Sequence, residues 1–335
     1  MRKWMMLSAV CALISLSTGC RADVENYQEH PLALAMVERM VDQHGFDRAE
    51  LLELFALTEK KQAIIDAMDR PAERVRPWHE YRQIFIQELR INRGVEFWRS
   101  NAAVLERAAQ EYGVDPAVIV AIIGVETMYG RITGGYRVMD ALSTLAFDYP
   151  RRSPFFTTEL ENYLILTRDQ GKNPLDLKGS YAGAMGYGQF MPSSYRHYAV
   201  DFDGDGRIDI WDNTADAIGS VANYLAAHGW RRGEPVTVPA LVGDQHEYQE
   251  LEWNELKVPD VSLAELEGQG FRPAVPVDAG LKAVPLRLDV EDGHEYWLGF
   301  NNFYVITRYN HSYRYAMAVH QLSELIKERL GREAS

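Results

Sequence analysis

The sequence predicts an α+β fold that is predominantly α-helical, and three features predict it. Apolar residues recur at three- and four-residue spacing through most of residues 30–233 and again in 313–330, which is typical of amphipathic helices. Between 234 and 293, prolines instead punctuate short Val- and Leu-rich runs, which indicates a small β-rich region. An Asp- and Gly-rich stretch at 201–212 has the pattern of an EF-hand-like calcium loop.

The N-terminal segment has the pattern of a lipoprotein-type signal peptide at residues 1–20, followed by a polar tether at 21–29. Two basic residues precede an apolar run too short to span a membrane. The run ends at Cys20, in a sequence similar to the processing box of bacterial lipoproteins except that Ser17 replaces the usual aliphatic residue. Cys20 is therefore expected to carry lipid, which would attach the protein to a membrane without a spanning helix; ordinary cleavage with a free thiol is the alternative.

Helical periodicity begins at Pro31 and continues, with an interruption at Pro71, to Tyr112. We interpret residues 30–93 as an N-terminal helical domain. Gly94 is taken as the start of the next helix, over residues 95–112, and Gly113 as its end.

Asp115 and Pro116 form a strong helix start, with Asp as the N-cap and Pro at the first helical position. The helix is expected to run from Ala117 to about Tyr129 and to carry Glu126 among apolar residues. A carboxyl group withdrawn from water resists ionisation, so Glu126 is predicted to be a general acid. The alternative is a structural Glu paired with an Arg.

A further helical stretch, residues 137–170, is broken at 149–152 and followed by a glycine-rich loop at 178–195. Its closely spaced glycines let the backbone approach a ligand, and the Ser, Tyr, Gln and Met beside them suit a sugar. The loop lacks the Lys-Ser/Thr pair of a phosphate loop, which disfavours a nucleotide. A tightly packed structural turn is the alternative.

The calcium loop has acidic residues at positions 1, 3, 5, 9 and 12 and a glycine at position 6. Hard oxygen ligands and a sharp turn at that glycine are what an EF-hand requires. The predicted ligands are Asp201, Asp203, Asp205 and the carbonyl of Arg207. The last ligand is Asp212 by the usual spacing, or Asp216 if the loop is longer; a plain acidic turn is the alternative to a metal site.

The chain returns to groove-like and helical patterns after the β-rich region. Residues 296–312 are rich in aromatic, Asn and Ser side chains, which suit a groove wall. Residues 313–330 form a final amphipathic helix.

Four stretches together resemble membrane-bound lytic murein transglycosylase B: Gly124–Thr127, Gly183–Pro192, the calcium loop and Thr307–Asn310. They occur in that family's order, and the likeness spans about residues 30–330. The resemblance implies a lysozyme-like catalytic core, here 94–233 with 294–312, and a small β domain at 234–293. The helix at 313–330 is expected to pack on the N-terminal domain. The resemblance also implies a peptidoglycan substrate. The protein is expected on the periplasmic face of the bacterial outer membrane, with a soluble periplasmic protein as the alternative.

The resemblance also implies roles for individual residues. Glu126 matches the catalytic acid/base, and Asp216 matches the last calcium ligand, although the bare spacing still favours Asp212. The remaining residues match glycan-contacting positions: Ser180, Gln189, Phe190, Met191, Tyr224, Tyr309, Asn310, Tyr315 and, with a weaker match, Tyr81.

The net charge of −13 disfavours a nucleic-acid partner, because no basic excess is available to neutralise phosphates. One structural calcium ion is expected, and no organic cofactor. The candidate partners are peptidoglycan strands, the membrane and proteins of cell-wall synthesis or hydrolysis. The sequence offers no second motif-borne carboxylate, which favours ring closure to 1,6-anhydromuramoyl ends over hydrolysis. A muramidase and a non-catalytic calcium-dependent peptidoglycan-binding lipoprotein are the alternatives.

Overall fold

The computed structural model describes residues 25–69, 76–243, 248 and 250–334. The signal peptide, Cys20 and the first part of the tether lie outside the described residues. Within them, the chain is mostly helical, with a two-stranded and a five-stranded antiparallel sheet. The predominantly helical α+β class is thus confirmed.

The N-terminal half is built from helices. Their bounds are α1 (Pro31–His44), α2 (Arg48–Ala56), α3 (Gln62–Met68), α4 (Trp78–Phe85), α5 (Glu88–Ser100), α6 (Ala102–Tyr112) and α7 (Pro116–Thr127). After α7 come strand β1 (Tyr136–Arg137), helices α8 (Val138–Asp148) and α9 (Ser153–Asp169), strand β2 (Lys178–Gly179), and helices α10 (Pro192–Tyr198) and α11 (Thr214–Ala227).

The C-terminal part contains a five-stranded sheet and three further helices. Its elements are β3 (Thr237–Val242), β4 (Val261–Ser262), α12 (Leu263–Gly268), β5 (Phe271–Pro273), β6 (Lys282–Val290), β7 (Gly293–Gly299), α13 (Asn301–Tyr309) and α14 (Tyr313–Ala334).

Helix α7 lies at the centre of the helical core. Every residue from Ala117 to Val125 is buried, so the helix has no solvent-facing stripe. It packs against α14, α5, α6 and α11. A helix that is apolar all round is a buried helix, and here that burial fixes the element that carries Glu126.

Gly94 does not start a helix, as the sequence had suggested, but lies inside α5. A Cβ at this position would lie 2.6 Å from both Ile326 Cδ1 and Tyr129 Oη. The glycine therefore permits close packing rather than marking the start of a helix, and the break before α6 falls instead at Asn101. Helix α5 consequently runs across the expected division at 93–94, and the domain division itself stays a prediction.

The β-rich region forms a five-stranded antiparallel sheet with strand order β4-β6-β7-β3-β5. Strands β6 and β7 form a hairpin in which Val290 pairs with Gly293. Gly293, expected to lie near the end of the region, is thus part of a hairpin turn with φ 127°, and the sheet continues to Gly299. The sheet has its own apolar cluster, which includes Leu266, Phe271 and Phe300.

Helix α14 packs against α7, α5, α13 and α4. It therefore connects the C-terminal end of the chain with α4, with α5 and with the central helix α7. Among the described residues, no single helix has the length and composition of a membrane span; α6 and α7 together do, with a bend of 115° between them.

Candidate active site

Glu126 lies in the last turn of α7. The helix starts as predicted, with the Asp115 side chain accepting a hydrogen bond from Ala117 N at 2.8 Å. It ends two residues earlier than predicted, because Met128 and Tyr129 adopt left-handed φ values of 51° and 62°. Two successive non-glycine residues in this region are strained, and such strain persists only where the surroundings enforce it. Glu126 is half-buried, whereas Val125 and Thr127 on either side are buried.

Arg90 and Tyr129 hold this strained helix end. Arg90 Nε donates to Gly124 O at 3.1 Å, and Tyr129 Oη donates to Arg90 O at 2.9 Å. Burial lowers the pKa of Arg90 and raises the pKa of Tyr129. A Cβ on Gly124 would lie 2.5 Å from Tyr129 Oη, so glycine is required there. Sequence reasoning placed Tyr129 on the same helix face as Glu126 but missed Arg90, which belongs to no motif near Glu126.

The Glu126 carboxyl is held by a tyrosine from the other end of the chain. Tyr315 Oη, at the start of α14, donates to Glu126 Oε1 at 2.6 Å across 189 residues of sequence. Burial raises the pKa of Tyr315 well above its ordinary value, and the Glu126 charge raises it further. The same two causes, in the same order, raise the pKa of Tyr309. Both phenols therefore remain neutral hydrogen-bond donors.

The glycine-rich loop folds back on itself beside α7. Met185 and Phe190 exchange two backbone hydrogen bonds of 2.9 Å. Gln189 adopts φ 51°, and its Nε2 donates to Gly186 O at 3.0 Å and to Thr133 O at 3.1 Å. The loop predicted from the glycine spacing is therefore an ordered turn whose shape its own side chains stabilise.

Thr127, which sequence reasoning also missed, fastens this loop to the end of α7. Its Oγ1 lies 2.9 Å from Tyr187 O and 3.1 Å from Ile123 O, and it accepts from Gly130 N at 3.0 Å. A Cβ on Gly130 would lie 2.1 Å from the Tyr187 ring. The loop and the catalytic candidate are thus coupled through one buried hydroxyl.

An aromatic cluster of Phe190, Tyr224 and Tyr309 forms one wall beside the loop. Their ring centroids are 4.8–5.9 Å apart. Tyr309 Oη donates to Gly188 O at 2.5 Å, and Tyr224 Oη donates to Arg308 O at 2.6 Å. These bonds join α13, α11 and the glycine-rich loop around the site.

The other predicted glycan contacts lie on the glycine-rich loop, at one end of α10 and of α13, and in α4. Ser180 Oγ accepts from Ala182 N and Ala184 N at 3.3 and 3.0 Å. Met191 is half-buried at the start of α10, and Asn310 is exposed at the end of α13. Tyr81 is buried in α4, close enough to act electrostatically on Tyr315. The structure therefore brings Tyr309 and Tyr315 close to Glu126 and Tyr81 close to Tyr315, whereas direct sugar contacts remain predictions.

The acidic loop brings three predicted ligands together. One carboxylate oxygen each from Asp201, Asp203 and Asp205 lies within 4.8 Å of the others. Asp201 also accepts from the backbone N–H groups of Gly204 and Gly206, both at 2.8 Å. The loop is thus already wrapped around its first carboxylate, and its hard oxygen donors fit a calcium ion.

Asp216 lies within electrostatic range of Asp201 and Asp203, outside the group of three carboxylates whose oxygens lie within 4.8 Å of one another. It is fully buried and accepts from Phe202 N and Asp209 N, both at 2.7 Å, so it holds both arms of the loop. Burial raises its pKa, and the charges of Asp203 and Asp201 raise it further. Asp212, in contrast, is exposed. A buried carboxylate near two others is the arrangement that a bound cation would neutralise.

Comparison with known proteins shows the family of this chain. The Transglycosylase SLT domain model matches residues 29–324. The chain belongs to this transglycosylase family. It is 47% identical over 317 residues, 90% of this chain and 84% of the relative, to membrane-bound lytic murein transglycosylase B of Escherichia coli K12. The resemblance inferred from the sequence motifs is confirmed, and the protein is a lytic transglycosylase.

Two solved structures show how far the fold of this lytic transglycosylase is shared. The Escherichia coli lytic transglycosylase Slt35 in complex with calcium is 46% identical, with a TM-score of 0.84, covering 91% of this chain and 95% of that one. Pseudomonas aeruginosa SltB3 in complex with NAG-anhNAM-pentapeptide is 32% identical, with a TM-score of 0.78, covering 88% and 78%. The fold is therefore the lysozyme-like fold of this family.

Proposed function

We propose that this lytic transglycosylase cleaves the β-1,4 bond between N-acetylmuramic acid and N-acetylglucosamine in peptidoglycan, with Glu126 as its single general acid/base. The observation that carries the proposal is the 2.6 Å hydrogen bond from Tyr315 to Glu126 inside a groove of tyrosines. Such a bond fixes the carboxyl in one orientation, which proton transfer to a defined oxygen requires. The name of the Escherichia coli relative and the bound fragment in SltB3 support the substrate.

Ring closure is favoured because the sequence motifs carry one candidate acid, Glu126, rather than a pair. The negative charge of Glu126 raises the pKa of both Tyr309 and Tyr315, which is consistent with its place beside these two hydroxyls. Hydrolysis by glycosidases generally uses two carboxylates. The sugar must then supply the second group, and the 2-acetamido oxygen of N-acetylmuramic acid can stabilise positive charge at C1.

In the proposed reaction, Glu126 gives its proton to the glycosidic oxygen as the C1–O bond breaks. The resulting carboxylate then accepts the proton of the C6 hydroxyl of the same sugar, whose oxygen closes on C1. The products are a 1,6-anhydromuramoyl end and a free C4 hydroxyl, and Glu126 regains its proton. No water is consumed. General acid–base assistance of this kind contributes roughly 10²- to 10⁴-fold in rate.

Calcium is proposed to bind to Asp201, Asp203, Asp205, the Arg207 carbonyl and Asp216. The buried position of Asp216 between Phe202 and Asp209 favours it over the exposed Asp212. The calcium complex of Slt35 supports the metal. Its role would be structural: it neutralises the acidic cluster at the start of α11, the helix that carries Tyr224.

We also propose that Cys20 is lipidated and holds the enzyme at the periplasmic face of the outer membrane. The membrane-bound relative supports this location. Mass spectrometry of the purified full-length protein tests it, because a diacylated Cys20 adds the mass of its lipid. A product with an unmodified cysteine would favour a soluble periplasmic enzyme.

The test of the main proposal is Glu126→Gln, which keeps the shape of the side chain but removes the transferable proton. We expect release of soluble fragments from purified sacculi to fall at least 10²-fold while sacculus binding is retained. Near-normal lysis would rule out Glu126 as the acid. Mass spectrometry of the wild-type products separates the mechanisms, because anhydro ends are lighter than reducing ends by one water. Binding without any released fragment would favour the non-catalytic alternative.

A further inference from the structure

Residues 25–27, which we call the N-terminal anchor, fasten the chain ahead of α1 to the turn between α2 and α3. Glu25 O accepts a hydrogen bond from Lys60 N at 2.9 Å, and Asn26 forms an antiparallel bridge with Glu59. Main-chain pairing of this kind ties an extended segment to the body of a domain.

Tyr27 holds the N-terminal anchor from within the core. Its side chain is 1% exposed, its N donates to Phe55 O at 3.1 Å, and its hydroxyl donates to Asp148 Oδ2 at 2.7 Å. Its ring meets Phe147 edge-on, with centroids 5.3 Å apart. Because this buried ring must leave the core before the segment can detach, the anchor is a fixed point of the body and not a hinge.

The anchor limits how far the body of the enzyme can lie from a lipid on Cys20. This step rests on the proposed lipidation, and Cys20 lies outside the described residues. Five peptide units separate Cys20 from Glu25, and a chain of that length spans at most about 18 Å when fully extended. A lipidated Cys20 therefore keeps Glu25 within about 18 Å of the membrane headgroups.

The strand that leads into the glycine-rich loop lies next to the anchor. Arg137 Nη2, in β1, lies 3.5 Å from Glu59 Oε1 and donates to Leu57 O at 3.2 Å. Tyr136, also in β1, pairs with Gly179 of β2, where the glycine-rich loop begins. The β1–β2 ribbon and the N-terminal anchor are therefore neighbours, because both contact the turn between α2 and α3.

The surface around the anchor is polar and does not by itself favour a membrane. Glu25, Asn26, Gln28 and Glu29 are exposed, and carboxylates are not attracted to anionic headgroups. Leu57 is 52% exposed, but one leucine is too little apolar surface to insert alone. A defined orientation at the membrane must therefore come from the short tether and not from adhesion.

We propose that the N-terminal anchor orients the lipidated enzyme, with the β1–β2 ribbon toward the membrane and the five-stranded sheet farther from it. The sheet packs mainly on α4, α12 and α13, away from the turn that holds the anchor. The glycine-rich loop is then presented at the membrane side of the molecule, which restricts cleavage to glycan strands close to the membrane.

The test measures energy transfer from a dye on the lipidated enzyme to an acceptor dye in the headgroups of phosphatidylethanolamine–phosphatidylglycerol vesicles. An acylated Cys20 does not react with maleimide, so an engineered cysteine is labelled alone. Gly135→Cys places the donor beside β1, where an added Cβ meets no heavy atom within 4 Å. Leu241→Cys places it on β3, at a leucine that is 45% exposed. We expect transfer at least about twofold more efficient from Gly135→Cys, because the tether holds that site nearer the headgroups.

A longer tether is the matched comparison. About 40 Gly/Ser residues inserted after Val24 add a mean span of about 35 Å and leave the anchor contacts in place, whereas the same segment appended after Ser335 leaves the tether unchanged. We expect the first insertion to bring the two transfer efficiencies together and the second to alter neither.

Equal transfer from the two sites at the original tether length would overturn the inference, as would a difference that survives the insertion after Val24. Failure of the proposed lipidation would also overturn it but is recognised separately, because the protein would not float with the vesicles. Lysis of purified sacculi by the same labelled enzymes reports the proposed catalytic function independently of both.

Discussion

Replacing Tyr315 with Phe tests whether the hydrogen bond at Glu126 contributes to catalysis. The substitution removes one oxygen from a side chain that is 2% exposed and leaves the ring in place. The lost bond is short, at 2.6 Å, and ends on a carboxyl group. Hydrogen bonds to charged groups contribute about 1.5–3 kcal/mol. If this stabilisation is used fully when the carboxylate forms in the reaction, kcat should fall about 10- to 100-fold.

The assay is the initial rate of fragment release from glycan strands over a range of substrate concentrations. We expect Tyr315→Phe to lower kcat more than it changes KM, because the lost hydroxyl is bonded to the Glu126 carboxyl and the ring stays in place. Tyr313→Phe is the matched control, since Tyr313 lies half-buried at the start of the same helix. Wild-type kcat in Tyr315→Phe, with normal thermal unfolding, would refute a functional role for this hydrogen bond.

Three further predictions concern stability. Calcium at about 100 times its Kd should stabilise the wild type by about 2.7 kcal/mol. Thermal melts with and without chelator should show a calcium-dependent rise in Tm in Asp212→Asn but not in Asp216→Asn. The reverse pattern would make Asp212 the last ligand. Thr127→Val should lower the free energy of unfolding in urea by about 1–3 kcal/mol, because Gly130 N and Tyr187 O lose their partner. An unchanged midpoint of urea unfolding would show that the hydroxyl is dispensable. Burial, and secondarily the charge of Lys327, lower the pKa of His320 from 6.5 to about 4, so the unfolded chain binds the extra proton and stability falls as pH drops through this range. His320→Gln should remove about 3 kcal/mol of this acid-induced loss of stability. The free energy of unfolding is measured by urea melts between pH 7 and pH 4. The assignment would be contradicted if this free energy fell with pH as steeply in the variant as in the wild type.

Local signals in the sequence were reliable where one short segment determines its own structure. Asp115 and Pro116 start α7 as predicted, because an N-cap and a proline at the first helical position act within one turn. The acidic loop likewise wraps around Asp201, because Asp side chains bond to backbone N–H groups a few residues away.

Glycines were harder to interpret, because the same residue serves different purposes. Gly94 reads as a helix boundary but permits close contact with Ile326 on α14. Gly293 reads as the end of a region but forms part of a hairpin turn. Glycine relieves local backbone strain and also long-range crowding, and the sequence around it does not distinguish the two.

The sequence by itself determined the helix that carries Glu126, the glycine-rich and acidic loops beside it, and, through motifs in a fixed order, the family. Only the tertiary structure decided which groups surround the acid. Tyr315 reaches Glu126 across 189 residues, and Arg90 and Thr127 fix the strained end of α7. The physical reason is range: caps and turns depend on neighbouring residues, whereas the environment of a carboxyl group depends on whichever helices pack around it.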